Sequence, residues 1–179
     1  MHVLKYFKHH KVTAIFIAIS GNNNSMCDDG ETHFAVFGAG WFWKPQLRFD
    51  KVVGVVDTRV GYTGGTGSKK PSYKSVCRGD GHTEAILIEY DPKIVSYRKL
   101  LSIFFDLHDP LKEQKTQYSS SIFVCDEEQL ELAEKEVYKL GPHCTTFVEP
   151  LTSWTDAEKK HQKYFEKKKK KKSMFRRNF

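Results

Sequence analysis

The strongest constraint on the fold is an alternation. Short apolar runs and amphipathic helical stretches take turns along residues 32–165. Thr32 to Gly38, THFAVFG, is apolar and stops at Gly38-Ala39-Gly40. It reads as a buried strand followed by a sharp turn. A helix is expected over residues 41–50. Val52 to Tyr62 is β-branched and ends in glycines, so it predicts a second strand. Residues 63–82 are rich in Gly, Ser, Lys and Thr and read as one long loop, a length that is usually functional or disordered. Thr83 to Asp91 predicts a third strand.

Ser96 is placed to cap the next helix. Tyr97, Leu100, Leu101, Phe104 and Leu107 recur at helical spacing, and the pattern stops before His108-Asp109-Pro110. Tyr118 to Cys125 predicts a fourth strand. Asp126 and Gln129 have capping-box spacing before a helix faced by Leu130, Ala133, Val137 and Leu140, which Gly141 ends. Thr145 to Pro150 reads as a last strand. Thr155 and Glu158 again have capping-box spacing and predict the start of a final helix. The order β α β β α β is that of a split βαβ unit. The expected class is α/β (α+β): a two-layer sandwich on a ferredoxin-like core with a C-terminal helical extension.

Charge narrows the function classes. The net charge is +7, but eight of the 29 basic residues are Lys167 to Lys172, Arg176 and Arg177. The rest of the chain has 21 basic residues against 22 acids. A folded nucleic-acid surface spreads its basic groups over a face. Here they form a tail at 167–179, expected to be solvated, and no specific nucleic acid is expected as a partner. The Gly-Ala-Gly turn lacks the further spacing of a dinucleotide site. No apolar run reaches the roughly 18 residues of a spanning helix.

Residues 1–20 have a basic start (Lys5, Lys8, Lys11), an apolar run from Val12 to Ile19, and small Ala18 and Ser20 at cleavage positions. They are a candidate signal peptide, which would direct the chain to the secretory pathway or outside the cell; otherwise it is cytoplasmic. Residues 21–30 form a polar linker, and the domain proper is expected over 31–166. The four cysteines, Cys27, Cys77, Cys125 and Cys144, make neither a CxxC pair nor a zinc-finger spacing, so no metal is expected. Cys125 ends an apolar strand and is read as core.

Six motifs stand in register: AVFGAGWFWKP (35–45), TRVGYTGGT (58–66), SYKSVCRGDGHTEA (72–85), HDP (108–110), TQYSS (116–120) and KHQKYF (160–165). Together they resemble the peptide methionine sulfoxide reductase A family over roughly residues 32–165. The resemblance implies an α/β fold with a ferredoxin-like core. It also implies thiol-based reduction of the S epimer of methionine sulfoxide, free or in proteins. The family motif is Gly-Cys-Phe-Trp, and its nucleophilic Cys aligns with Trp41. Indole has no lone pair to offer as a nucleophile. By the same resemblance Phe42 and Trp43 form the cage for the substrate methyl group. Glu84 protonates the sulfoxide oxygen, Tyr62 and Tyr118 hold that oxygen, and His161 stands nearby. Glu113 replaces the aspartate of Asp-x-Gly-Thr-Gln-Tyr, and Lys115 its glycine.

No cysteine follows Cys144, so recycling would need an external thiol reductant such as thioredoxin, and no bound cofactor is implied. A monomer is expected. Cys77 corresponds to a cysteine that many family members carry beside the nucleophile, and it is not read as a replacement. Three accounts of Trp41 stay open. In the first, the gene encodes Cys, one base from TGG, or selenocysteine, whose TGA codon some translation tables render as Trp. A real Trp41 would leave a protein that binds methionine sulfoxide or a partner without turnover. The third account is an interaction module that acts through its lysine tail.

Overall fold

The computed structural model describes residues 32–66 and 69–177. The candidate signal peptide and linker lie outside the described residues. Six strands form one sheet: β1 (His33–Ala39), β2 (Val55–Thr63), β3 (Thr83–Tyr90), β4 (Ser120–Val124), β5 (Phe147–Pro150) and β6 (Thr155–Asp156). The helices are α1 (Trp43–Phe49), α2 (Tyr73–Val76), α3 (Tyr97–Asp106), α4 (Glu127–Leu140) and α5 (Tyr164–Arg177). A 3₁₀ turn, Thr116–Tyr118, precedes β4.

The strand order is β5-β4-β1-β3-β2-β6. Its inner part, β4-β1-β3-β2, is antiparallel throughout, which is the expected ferredoxin-like arrangement. β5 extends it as a parallel neighbour of β4, and β6 pairs with the outer edge of β2. In β1, Ala35, Phe37 and Ala39 face the helical layer, where they pack with Phe49 of α1, Leu100, Leu101 and Phe104 of α3, and Leu130 and Ala133 of α4. Phe37 stacks on Phe104 at 5.0 Å, so its truncation to Ala would cost about 3–5 kcal/mol. Val36 faces the other side with Ala85, Leu87, Phe123, Cys125 and Leu151. The period of two along the strand thus feeds two cores.

Ser96 caps α3 by accepting from the Lys99 N–H, as its position predicts. Asp126 caps α4 from the Gln129 N–H at 2.7 Å, but the box is half formed. The Gln129 amide instead accepts from the Cys125 N–H and donates to the Phe34 carbonyl. That buried amide ties α4 to β1.

Three expectations change. β2 begins at Val55, because Val52 to Gly54 turn out of α1. The 63–82 loop contains α2, capped by Ser72 and Ser75 reciprocally. Thr155 and Glu158 do not open a helix. Thr155–Asp156 is strand β6, the Glu158 carboxyl is drawn to Tyr62 and Tyr73, and α5 starts only at Tyr164. The lysine run is solvent-exposed, as expected, and forms part of α5.

Candidate active site

The site is built where β1 turns into α1. Gly40 has φ +73°, a left-handed conformation that a side chain would strain. The turn sends Phe42 inward, where it is buried at the start of α1. Its backbone N–H donates to Glu84 Oε2 at 3.3 Å. Glu84 lies on β3 and is only 2% exposed. Gln117, in the 3₁₀ turn, donates from Nε2 to Glu84 Oε1 at 2.8 Å. Burial pushes the Glu84 carboxyl above its usual range, and the hydrogen bonds from Gln117 and Phe42 only partly offset it. The result is a buried carboxyl inclined to hold its proton.

The same Gln117 amide lies 3.4 Å from Cys77 Sγ, which ends α2 and is exposed. Tyr118 follows Gln117. Burial raises its hydroxyl pKa, while a hydrogen bond with Trp41 acts in the other direction. Trp41 itself is 59% exposed. Its ring meets Trp43 at 5.6 Å and Tyr118 at 6.4 Å, both edge-on.

A second wall is aromatic. His161 is buried against Phe42 (5.6 Å), Trp43 (5.7 Å) and Tyr73 (4.5 Å). Both of its ring nitrogens lack a hydrogen bond, and the nearest carboxylate, Glu158 Oε2, is 3.8 Å from Nε2. Burial lowers its pKa, and Glu158 opposes that, so the ring favours the neutral form. Trp43 is sandwiched between His161 and Tyr164, the latter stacked at 4.1 Å and 11°.

The structure brings Trp41, Phe42, Trp43, Glu84, Tyr118 and His161 together. Tyr62 is close by, but its buried hydroxyl donates to Glu158 Oε2 at 2.8 Å, a partner the sequence does not suggest. Burial and that bond push its pKa far up. Glu158 Oε1 also accepts from the Tyr73 N–H at 2.9 Å, so Glu158 ties α2 to β2. Tyr73 faces the pocket from α2. Burial, with a hydrogen bond to Cys77, raises its pKa to about 12.

Glu113 is not part of this group. It is exposed and borders a separate cavity of about 530 Å³ across the 3₁₀ turn, with Ser119, Ser120, Ser121, Thr146 and Cys144. The cavity's hydroxyls satisfy one another: Thr83 with Ser119 at 3.0 Å, Ser119 with Ser121 at 2.8 Å, and Ser120 with Thr146 at 2.7 Å. His108 bridges the Phe104 carbonyl and the Ser120 hydroxyl, a structural clamp on the end of α3. No group of three His, Cys, Asp or Glu side chains that could hold a metal occurs among the described residues.

Gln117, Tyr73 and Tyr164 are site residues that the sequence does not single out, and Glu158 is singled out there only as a helix cap. Gln117 and Tyr164 stand inside quoted motifs (TQYSS and KHQKYF), and Tyr73 inside SYKSVC. Only the fold shows which groups they face.

A ferredoxin-like α/β sheet carries a buried carboxyl with a raised pKa beside an aromatic cluster at a glycine turn. The family model described as "Peptide methionine sulfoxide reductase" matches residues 33–179. The chain is 42% identical over 144 residues to the peptide methionine sulfoxide reductase MsrA of Pelagibacter ubique, covering 74% of this chain and 97% of that protein. It is 46% identical over 143 residues to the MsrA of Nautilia profundicola, covering 74% and 82%. Among solved structures it resembles reduced Mxr1 of Saccharomyces cerevisiae, with a TM-score of 0.68, 29% identity, and 81% and 90% of the two chains covered. Mxr1 has also been solved in complex with Trx2, a structure that matches at TM-score 0.54 and 23% identity over 78% of this chain and 90% of that one. The chain belongs to the peptide methionine sulfoxide reductase family, whose reaction is the reduction of methionine sulfoxide.

Proposed function

We propose that this pocket takes the methylsulfinyl group of the S epimer of methionine sulfoxide, and that the native protein carries Cys or selenocysteine at position 41. One observation carries the reading. Burial inclines Glu84 to act as an acid, Gln117 and the Phe42 N–H hold its two oxygens in place, and the exposed Trp41 beside it supplies no nucleophile.

In this reading the substrate methyl group rests on Phe42 and Trp43. Its oxygen takes the proton of Glu84 and is steadied by a tyrosine hydroxyl. Tyr118 and Tyr73 present hydroxyls on this side, while that of Tyr62 is committed to Glu158. A thiol at position 41 attacks the sulfur. The S–O bond breaks, methionine leaves, and the oxygen remains on the enzyme as a sulfenic acid. An external dithiol reduces the sulfenic acid, with loss of water and formation of a disulfide. A thioredoxin-like protein is the proposed reductant, and the Mxr1–Trx2 complex supports that choice. The N-terminus of α1 follows position 41, which favours a thiolate there.

The test is turnover of an S-sulfoxide peptide with dithiothreitol. The chain with Trp41 is expected to be inactive and Trp41→Cys active. A folded Trp41→Cys protein that produces no methionine overturns the reading. If Trp41 is the native residue, the same walls make a binding protein, and calorimetry with a methionine sulfoxide peptide would show heat.

A further inference from the structure

The lysine helix is not a separate appendage. Two contacts that do not depend on residue 41 lead from the pocket wall to α5: Trp43 stacks on Tyr164 at 4.1 Å, and Lys168 Nζ lies 6.0 Å from the Tyr164 ring centre. Tyr164 opens α5. Just before it, Lys163 Nζ pairs with Asp50 Oδ1 at 2.7 Å and Asp57 Oδ1 at 3.3 Å, which pins the helix start to α1 and β2. The cationic end therefore has a fixed position relative to the pocket.

We propose that these rings and the lysines beyond them form a docking track for polypeptides in which acidic residues flank the methionine sulfoxide. The inference rests on the pocket reading above and adds the substrate class.

Charge supports it. Lys167 to Lys172 are exposed, and Glu166 is the only acid in α5. The rest of the chain is close to neutral, so the positive field is concentrated beside the pocket. Lys167 Nζ donates to the Lys159 carbonyl at 2.7 Å. Spacing supports it too. At about 1.5 Å per helical residue the lysines lie roughly 5–12 Å past Tyr164. The step from Trp43 to Tyr164 adds 4.1 Å. An extended peptide at about 3.3 Å per residue would bring acids some three to five residues from the sulfoxide onto the lysines. The rings between would carry the intervening backbone and side chains.

Other anions fit less well. An amphipathic helix on a lipid surface needs an apolar face. Residues 167–173 of α5 offer none. A nucleic acid would use the lysines without any need for a route to the sulfoxide pocket.

The experiment titrates three peptides into the full chain: methionine sulfoxide between two glutamate-rich flanks, the same peptide with glutamine flanks, and the glutamate peptide with unoxidised methionine. Tryptophan emission or calorimetry reads the affinity. At about 20 mM salt the glutamate sulfoxide peptide is expected to bind about tenfold tighter than the glutamine one, and the gap closes near about 0.5 M. Replacing the four lysines together (Lys168→Gln, Lys170→Gln, Lys171→Gln, Lys172→Gln) removes that gap and leaves the glutamine peptide unchanged. Glutamine keeps the helix propensity of lysine, and circular dichroism checks α5.

Equal affinities for the two flanks overturn the proposal. So does a gap that survives the lysine replacements. Anionic phosphatidylserine vesicles or a uridine oligonucleotide that displace the glutamate peptide at lower concentration than the peptide itself also overturn it. A lysine-dependent gap with no preference for sulfoxide over methionine has a different meaning. It overturns the pocket reading, and with it the sulfoxide part of the substrate class.

Discussion

Glu84 and Glu158 are the two carboxyls of one pocket, and they hold protons oppositely. Glu84 is buried and accepts from one side-chain amide and one backbone N–H, and its pKa rises. Glu158 has a half-exposed side chain. Burial also works against its charge, but bonds from the Tyr73 N–H, its own backbone and the Tyr62 hydroxyl outweigh that, with help from His161, and its pKa falls. The number of donors around each oxygen, set against its burial, separates an acid from a strut. Neither role is visible in the residue type.

The largest effect that could break this contrast is catalytic. In the Trp41→Cys protein, Glu84→Gln is expected to lower kcat about 10²-fold, whereas Glu158→Gln leaves kcat within a few-fold. Steady-state assays with an S-sulfoxide peptide check both. Equal losses would erase the distinction.

Next in size is stability at the strut. Tyr62→Phe removes the buried hydroxyl that donates to Glu158. A bond to a charged group is worth about 1.5–3 kcal/mol, so urea unfolding should show a loss at the low end of that range, since Glu158 keeps the Tyr73 N–H.

The subtlest test is the sign of pH dependence. The raised pKa of folded Glu84 means that the native state binds that proton more tightly than the unfolded chain does. Its contribution is present below the unfolded carboxyl pKa and is lost as pH rises through the folded value. Glu84→Gln should therefore flatten a fall in stability on the alkaline side of the ordinary carboxyl range. Glu158 is depressed, so its contribution is present above the unfolded pKa and lost as pH falls through the folded one. Glu158→Gln should remove stability at neutral pH and reduce the acid-side loss. Urea midpoints across that range report both, and parallel profiles would contradict the assignment.

The same contrast explains what the sequence could and could not reveal. The ferredoxin-like order, the Gly40 turn, the Ser96 cap and the placing of Glu84 beside Phe42 follow from local pattern and family motif. Thr155 and Glu158 mislead because a capping box is a local signal, while Glu158 has stronger donors in Tyr62 and Tyr73, more than 80 residues away in sequence. Glu113 is exposed and lines the serine cavity, a placement that its motif neighbours do not reveal. Gln117 is a plain polar residue until the fold sets its amide between Glu84 and Cys77. Tertiary partners decided each of these, and no periodicity encodes them.

Position 41 remains the hinge between a reductase and a binding protein. The most direct measurement is the mass of the tryptic fragment that contains residue 41 and ends at Arg48, since Lys44 precedes Pro45 and resists cleavage, taken from cells that naturally make the protein. A Cys or selenocysteine mass at that position is the expected result. A Trp mass contradicts the proposed reductase and leaves a pocket that binds without turning over.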